Sequence, residues 1–457
     1  MKRRDHKMKA AQEKKYAPHG PKGSWLSGNL MEYRKDPAGF LTELQKDYGG
    51  VAQIRFGPQK MYVIYDPDLL KEVLLTKQEH FIKLKAFKEA RLFVGDGVAT
   101  STGAKHKRVR KLIQPHFTRA HIQSYAEQMV QTVRKELNQW MPGERRILTE
   151  DISNITFAVI AKTLFSLEGG GYTESIREPY ELINRMCSER MRSLFPVPLF
   201  IPTAQNRAYV TALHELDQAV YTILQQRKKN PGQGEGDLLS VLLSAKDENG
   251  AGMTDQELRD ELMIMFIAGH ETSANVLSWA FSYILQQPEV EEKLYEEWER
   301  VLGGSDPTDV TYMQLTYTQN VLREAMRLRS PTFFTGRSAT AEVEIGHLTV
   351  KKGQSILFSP YAMHQNPEYF PDPLSFIPER FENDLLKRIP QFAYIPFGGG
   401  PRGCIGNHFA MMEMVFAMCM IGQRYRLKLA PAHPPIEMEP LMTLRPKHGI
   451  QVIVNSR

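Results

Sequence analysis

The residues most able to do chemistry lie in one segment, Phe397-Gly398-Gly399-Gly400-Pro401-Arg402-Gly403-Cys404-Ile405-Gly406. Three consecutive glycines, a proline and an arginine lead to one cysteine, and an apolar run from Phe409 to Met420 follows. Glycine permits backbone angles and close approaches that a β-carbon forbids, so a tight loop pressed against something flat is predicted. Cys404 would then sit where a helix begins, and the free N–H groups and positive dipole end of that helix favour a thiolate. A thiolate in such a loop is a metal ligand or a nucleophile. The plainer reading is a buried structural cysteine in a glycine-rich turn.

A second polar cluster, Ala268-Gly269-His270-Glu271-Thr272-Ser273, falls inside a long helical stretch. Thr254-x-x-Glu257 has the form of a capping box. From there helical residues run to Gln287, before Pro288, a length of about 50 Å at 1.5 Å per residue. Met263, Ile264, Phe266, Ile267, Val276, Leu277 and Trp279 are spread around its circumference, so this helix is expected to cross the interior. Gly269 costs it about 1 kcal/mol relative to alanine. A kink with satisfied polar groups is the plainer reading. The chemical one is that Ala268 and Gly269 leave room for a bound group, with Thr272 one turn after Ala268 on the same face.

On these residues the chain resembles the cytochrome P450 family, the haem-thiolate monooxygenases, of the soluble bacterial type. FGGGPRGCIG is similar to the family's haem-binding loop, in which the cysteine is the proximal iron ligand. Phe397, Gly398, Gly400, Arg402, Cys404 and Gly406 match its spacing. The resemblance implies haem b as cofactor, held at Cys404, with Phe397 tuning the thiolate. The helix segment resembles the family's acid–alcohol pair. Thr272 would hydrogen-bond iron-bound dioxygen and Glu271 would relay protons from solvent. Members that run on hydrogen peroxide alone tend to have a different pair, so dioxygen and two electrons are favoured.

Other positions follow from the same resemblance. Glu324 and Arg327 share a helix face, and with Arg380 of Pro378-Glu379-Arg380-Phe381 they resemble a buried triad that serves folding and haem retention. His106 and Arg110 resemble the pair that reaches the haem propionates, although many members have tryptophan where His106 stands; Arg337 and Arg402 resemble further propionate partners. Phe333, Phe334, Ala268, Leu441 and Met442 are expected pocket walls. Residues 194–202, an apolar connector broken by prolines, resemble a lid over the substrate channel. Residues 105–111 hold five basic side chains. Those beyond the propionate pair are expected to point outward on the proximal face and attract an acidic electron donor.

The elements that position these residues are mostly helical. A hairpin is predicted over 51–65 with its turn at Gly57-Pro58, and others only over 342–358 and around Gly449. Residues 81–104 read as a loop-rich segment. The expected fold is the cytochrome P450 fold, mainly α with small β-sheets: one large haem-enclosing domain over 18–457, preceded by a basic, disordered tail over 1–17. At 42% apolar the chain can bury a large core. A net charge of +6 is too mild to argue for nucleic acid. Cys187, Cys404 and Cys419 make no disulfide framework, which fits a reducing cytoplasmic interior. No stretch of 18 apolar residues offers a membrane span.

The predicted reaction is hydroxylation of an apolar substrate, a fatty acid first and a terpenoid or polyketide second. With no flavin or iron–sulfur segment in view, electrons are expected from a separate ferredoxin- or flavodoxin-like protein. A haem-thiolate peroxygenase or isomerase without an electron partner, and a non-catalytic haem sensor, are the rival readings.

Overall fold

The computed structural model describes residues 18–84, 87–167, 171–191, 193, 196–232, 234 and 236–457. The basic tail over 1–17 and Leu194-Phe195 of the apolar connector lie outside the described residues. The chain is mostly helical with small sheets and divides into two compact units. The first takes Phe333–Leu374, Asp384–Gly403 and the described part of Met1–Lys85; the second takes Ser375–Asn383, Cys404–Arg457 and the described part of Ala86–Thr332.

In the first unit, helix α1 (Pro37–Tyr48) is started by Asp36, whose side chain accepts from the Gly39 N–H, with Pro37 at the first position. The predicted hairpin forms from β1 (Val51–Phe56) and β2 (Gln59–Ile64), pairing Val51 with Ile64 and Phe56 with Gln59. Three further strands complete its sheet: β3 (Phe81–Lys83), β4 (Thr335–Ala339) and β5 (Ser355–Phe358), in the order β1-β2-β5-β4-β3. The β2–β5 pairing is parallel, so the sheet joins segments remote in sequence.

Two expectations need correction here. Residues 81–104 are not mainly loop: they supply β3 and, in the second unit, a helix over Phe87–Val94 that buries Ala90, Phe93 and Val94 on one side. Its apolar residues are too few to stand out beside the flanking glycines. Nor does the chain make a hairpin about Gly449. The strand Gln451–Ser456 pairs with Tyr425–Leu429 and Arg145–Ile147, while the nearby hairpin joins Met438–Pro440 to Leu444–Pro446.

The second unit is built on helices α2 (Gly103–Ile113), α3 (Leu148–Phe165), α4 (Gly171–Met191), α5 (Ala204–Lys229), α6 (Asp255–Ile284), α7 (Thr316–Leu328) and α8 (Asn407–Arg424). The capping box forms as predicted: Thr254 Oγ1 accepts from the Glu257 N–H at 3.2 Å, and Glu257 Oε2 from the Thr254 N–H at 3.0 Å. Thirty residues make α6 about 45 Å long. It is buried around nearly all its circumference, as the apolar residues spread around it require, with α3, α7 and α8 against it.

Within this unit Glu324 and Arg327 are fully buried. Arg327 donates to both Glu324 oxygens, at 2.7 and 2.8 Å, and to the Ser375 carbonyl at 3.0 Å. Glu324 also accepts from the Ile377 N–H at 2.9 Å and from Arg380 at 3.1 Å. The carboxylate therefore ties α7 to the turn at Pro378–Phe381. Arg327→Ala strands a buried carboxylate, and urea denaturation should show a loss of about 3–5 kcal/mol. A loss under about 1 kcal/mol would place the pair among ordinary surface bridges.

Candidate functional site

The cysteine loop begins in the first unit. A β-carbon on Gly400, where φ is +66°, would lie 1.9 Å from the Leu74 carbonyl oxygen, so this glycine is demanded by protein backbone. Gly398, at φ +69°, is exposed and half-buried Phe397 precedes it. Cys404 opens the last segment of the second unit, and it is the accessible one of the three cysteines; Cys187 and Cys419 are buried.

The thiol does not behave as the sequence reading expected. Helix α8 starts at Asn407, three residues later, so Cys404 stands outside its first turn. Although its surface is accessible, the protein packed round it removes enough water to push the thiol up from its ordinary value. The Gly406 N–H and the Arg110 guanidinium act in the opposite direction and do not overcome this. A bound metal cation would reverse the balance, since ligation takes the thiolate.

On α6 Ile267, His270, Glu271 and Ser273 are buried, yet Ala268 is exposed and Gly269 and Thr272 are half-exposed. Ala268 and Thr272 lie one turn apart on one face, so the middle of the rod has a bare spot there. The Thr272 hydroxyl donates to the Ala268 carbonyl at 2.6 Å, which leaves its oxygen free to accept. Gly269, half-exposed between them, also serves the packing of α6. A β-carbon there would meet Ile160 Cδ1 of α3 at 2.3 Å, so the glycine serves helix packing. His270 is buried with Nδ1 2.6 Å from the Phe266 carbonyl, and its ring packs edge-on against Phe157 and Tyr180.

Glu271 points inward rather than to solvent. It accepts from the Tyr180 hydroxyl, from Asn184 Nδ2 at 2.8 Å and from Thr443 Oγ1 at 2.6 Å. Asn184 also donates to Tyr180, and Asn275 to Thr443, each at 3.0 Å. Burial raises the carboxyl to about 7, against the opposing pull of Thr443 and of Arg445. A carboxyl at that value gains and loses its proton near neutrality, as a proton carrier must.

The other predicted positions divide between the units. In the first, Arg337 is buried, donates to the Gly336 carbonyl at 2.8 Å and lies over the Phe358 ring. Burial pushes it down to about 10, and the nearby Arg402 adds to this. No carboxylate pairs with Arg337 among the described residues. Phe333 is core, its ring centroid 4.9 Å from that of half-buried Phe334. In the second, His106 is buried, Arg110 donates to Gln114 at 3.2 Å, and Leu441 and Met442 are half-buried.

The outward basic face is largely neutralised by its own chain. Arg108 pairs with Asp247 at 2.7 Å and Glu257 at 2.9 Å, Lys111 with Glu248, and Lys105 with Asp96 at 3.2 Å. Lys107 is exposed and has no carboxylate partner among the described residues. Sequence reasoning missed the partners of Arg108 and Lys111, which stand more than a hundred residues away, whereas Asp96 is only nine residues from Lys105. It also missed Tyr180, Asn184 and Thr443, which carry no local motif; nothing short of the tertiary packing brings them to Glu271.

The accessible cysteine in its glycine-fixed loop and the bare spot on an interior helix are the features on which the sequence resembles the cytochrome P450 family. The chain belongs to the cytochrome P450 family, whose profile matches residues 18–454. Cyclooctat-9-en-7-ol 5-monooxygenase of Streptomyces melanosporofaciens is 34% identical over 411 residues, 89% of this chain and 88% of that one. Cyclooctatin synthase of the same organism is 32% identical, covering 93% and 92% of the two chains. Pentalenene oxygenase of Streptomyces avermitilis is 29% identical, covering 88% and 90%. The protein is thus a haem-dependent monooxygenase. No helix among the described residues is long and apolar enough to cross a membrane.

The state of Glu271 can be read through stability. Folded Glu271 holds its proton to about 7 and an ordinary carboxyl only to 4.5. Between those values the folded chain binds more protons than the unfolded one, so this group makes stability fall as pH rises, levelling off above about 7. Glu271→Gln removes that component. Urea denaturation between about pH 5 and about pH 8 should show the variant gaining on the wild type by up to about 1.4 kcal/mol per pH unit. Parallel pH profiles would show that Glu271 is ionised throughout.

Proposed function

We propose that this chain hydroxylates a cyclic terpenoid, using dioxygen and two electrons delivered by a separate ferredoxin- or flavodoxin-like protein. The observation that carries the reading is the bare spot at Ala268 and Thr272, beside a buried carboxyl that titrates near neutrality. The residues present suit a haem. Cys404 offers an accessible sulfur, and Arg337 is a buried cation with no carboxylate partner among the described residues. A cation so placed is relieved by an anionic group such as a propionate.

Haem b would be held by the Cys404 thiolate, with His106, Arg110, Arg337 and Arg402 as propionate partners and half-buried Phe397 tuning the sulfur. When bound, the haem supplies oxygen activation and insertion into a C–H bond. The chain's own residues manage protons and water. Cys404 gives up its proton on ligation. Thr272, its hydroxyl hydrogen tied to the Ala268 carbonyl, presents an oxygen that can accept a proton and pass one on. Glu271 holds an exchangeable proton beside it in the chain, its carboxyl positioned by the hydrogen bonds of Tyr180, Asn184 and Thr443. Phe334, Leu441 and Met442, each half-buried, offer apolar wall to the substrate.

The names of the relatives favour the terpenoid over the fatty acid: one acts on cyclooctat-9-en-7-ol and another on pentalenene. For electron-donor docking, Lys107 is the member of the 105–111 run best able to attract an acidic partner, because its charge is not taken up internally. We place the protein in the cytoplasm, in keeping with three free cysteines among the described residues.

In a reconstituted system the test compares cyclic terpene alcohols with long-chain fatty acids as ligands that change the iron spin state, then follows turnover of whichever binds. Terpene alcohols should give the larger change, and Thr272→Ala should release more peroxide per NAD(P)H consumed. A response to fatty acids alone would refute the substrate class, and unchanged coupling in the variant would remove Thr272 from proton delivery.

A further inference from the structure

Two neighbouring acids near the start of α6, Asp260 and Glu261, take no part in the network around Glu271. Both are buried, Glu261 completely. Each reaches the backbone of the segment 95–101, which links the helix Phe87–Val94 to α2. Asp260 Oδ2 accepts from the Asp96 N–H and Glu261 Oε1 from the Val98 N–H, both at 2.8 Å. The glycines of this segment are fitted to the two carboxyls. A β-carbon on Gly95, where φ is +76°, would stand 1.9 Å from Asp260 Oδ1. One on Gly97 would stand 2.4 Å from Glu261 Oε1 and 2.7 Å from Ile264 Cδ1. Any larger residue would push the segment off α6. Thr100 Oγ1 donates to the Gly95 carbonyl at 2.7 Å and the Ser101 N–H to the Gly97 carbonyl at 2.8 Å, so the segment is one folded turn.

The contact lies on the face of α6 that bears the bare spot. Glu261 precedes Ala268 by seven residues and Ile264 precedes it by four, so both fall within about 40° of it around the helix. Along the axis Ile264 is about 6 Å from Ala268 and Glu261 about 10 Å. Gly97 rests on both, so the segment stands at the N-terminal rim of the bare spot. We propose that Asp260 and Glu261 are positioning residues: they clip the segment 95–101 to α6 as a rim of the opening, and release of the Glu261 bond lets that segment lift and admit a ligand. The gating half rests on the reading of the opening as the ligand site, whereas the clip does not.

The two halves of the clip are held differently. Asp260 Oδ1 accepts from Arg259 Nη1 at 3.1 Å and from Gln256 Nε2 at 2.8 Å, and Arg259 is itself held by Asp217 of α5 at 2.7 Å. Glu261 has less support: its second oxygen is buried without a hydrogen-bond partner among the described residues. Burial pushes this carboxyl up to about 8; Asp260 and Glu257 of α6 add to the rise, and the Val98 N–H and Lys105 of α2 oppose it. Asp96, on the clipped segment, is paired with Arg91 at 2.5 Å and Lys105 at 3.2 Å. A neutral acid therefore makes the Val98 bond at neutral pH. Released into water the carboxyl would titrate near 4.5, so between 4.5 and about 8 the clipped form holds a proton that the released form gives up. Rising pH weakens the clip by up to about tenfold per unit, levelling off above about 8.

Hydrogen exchange of the full, haem-loaded chain reads the Val98 amide directly and needs no turnover. Protection of that amide, taken relative to an unstructured peptide, should fall by up to about tenfold per unit as pH rises toward about 8. Glu261→Gln accepts the same bond without titrating and should keep the protection at every pH, while Glu261→Ala should lose it. Flash photolysis of the carbon monoxide complex should show faster ligand entry in Glu261→Ala and not in Glu261→Gln. If the alanine variant does not fold, the pH dependence of the wild type against the glutamine variant decides. Val98 protection that is independent of pH in the wild type, or equal in the wild type and Glu261→Ala, would overturn the clip. Carbon monoxide entry that does not follow Val98 exchange would overturn the gating. Failure of the proposed function would show instead in the spin-state response and in the coupling of Thr272→Ala, neither of which this experiment uses.

Discussion

A charge removed from water must find a partner, give up its charge, or be met by something that binds. The second unit contains the first outcome in the Glu324–Arg327–Arg380 network and in the buried pair of Arg227 with Asp237 at 2.7 Å. Glu271 and Glu413 show the second: burial holds both carboxyls above their ordinary range, with hydroxyl and amide groups beside Glu271 and the Ser273 hydroxyl beside Glu413. Arg337 in the first unit and Cys404 in the second point to the third. One is a cation without a carboxylate partner among the described residues, the other a sulfur whose proton a metal would take. Burial therefore sorts the ionisable groups into those that hold the fold and those that await a ligand.

The same logic explains why one helix carries so much. Residues that make α6 apolar enough to cross the second unit also remove water from every polar group placed on it. Gly269 lets α3 approach, Glu271 ties α6 to α4 and to the Thr443 turn, and Ser273 faces α8. Ala268 and Thr272 stay open to solvent. A shift of α4 would alter the hydrogen bonds of Glu271 directly, because Tyr180 and Asn184 both lie on that helix.

The helix itself was legible in the sequence because its capping box, its length and the proline after it are local signals. The 51–64 hairpin was legible for the same reason, with alternating residues about a Gly-Pro turn. Cys404, Thr272 and Glu271 stood out by residue type. What the sequence did not disclose depends on partners far along the chain. The parallel β2–β5 pairing joins residues near 62 to residues near 356. Arg108 and Lys111 read as a free basic face until Asp247, Glu257 and Glu248 are seen against them. The thiol of Cys404 looked activated by a helix end, and only the packing shows that desolvation outweighs it. Glu413 lies within an apolar run, and nothing in a one-dimensional reading marks its carboxyl as fully buried.

Sulfur ligation at Cys404 is the point on which the functional account turns. X-ray absorption at the iron edge of the full-length, haem-loaded protein measures it most directly. One sulfur donor is expected on the iron, and it should vanish when Cys404 is replaced by serine. A first shell of nitrogen and oxygen alone, or a sulfur signal that survives the replacement, would contradict the account.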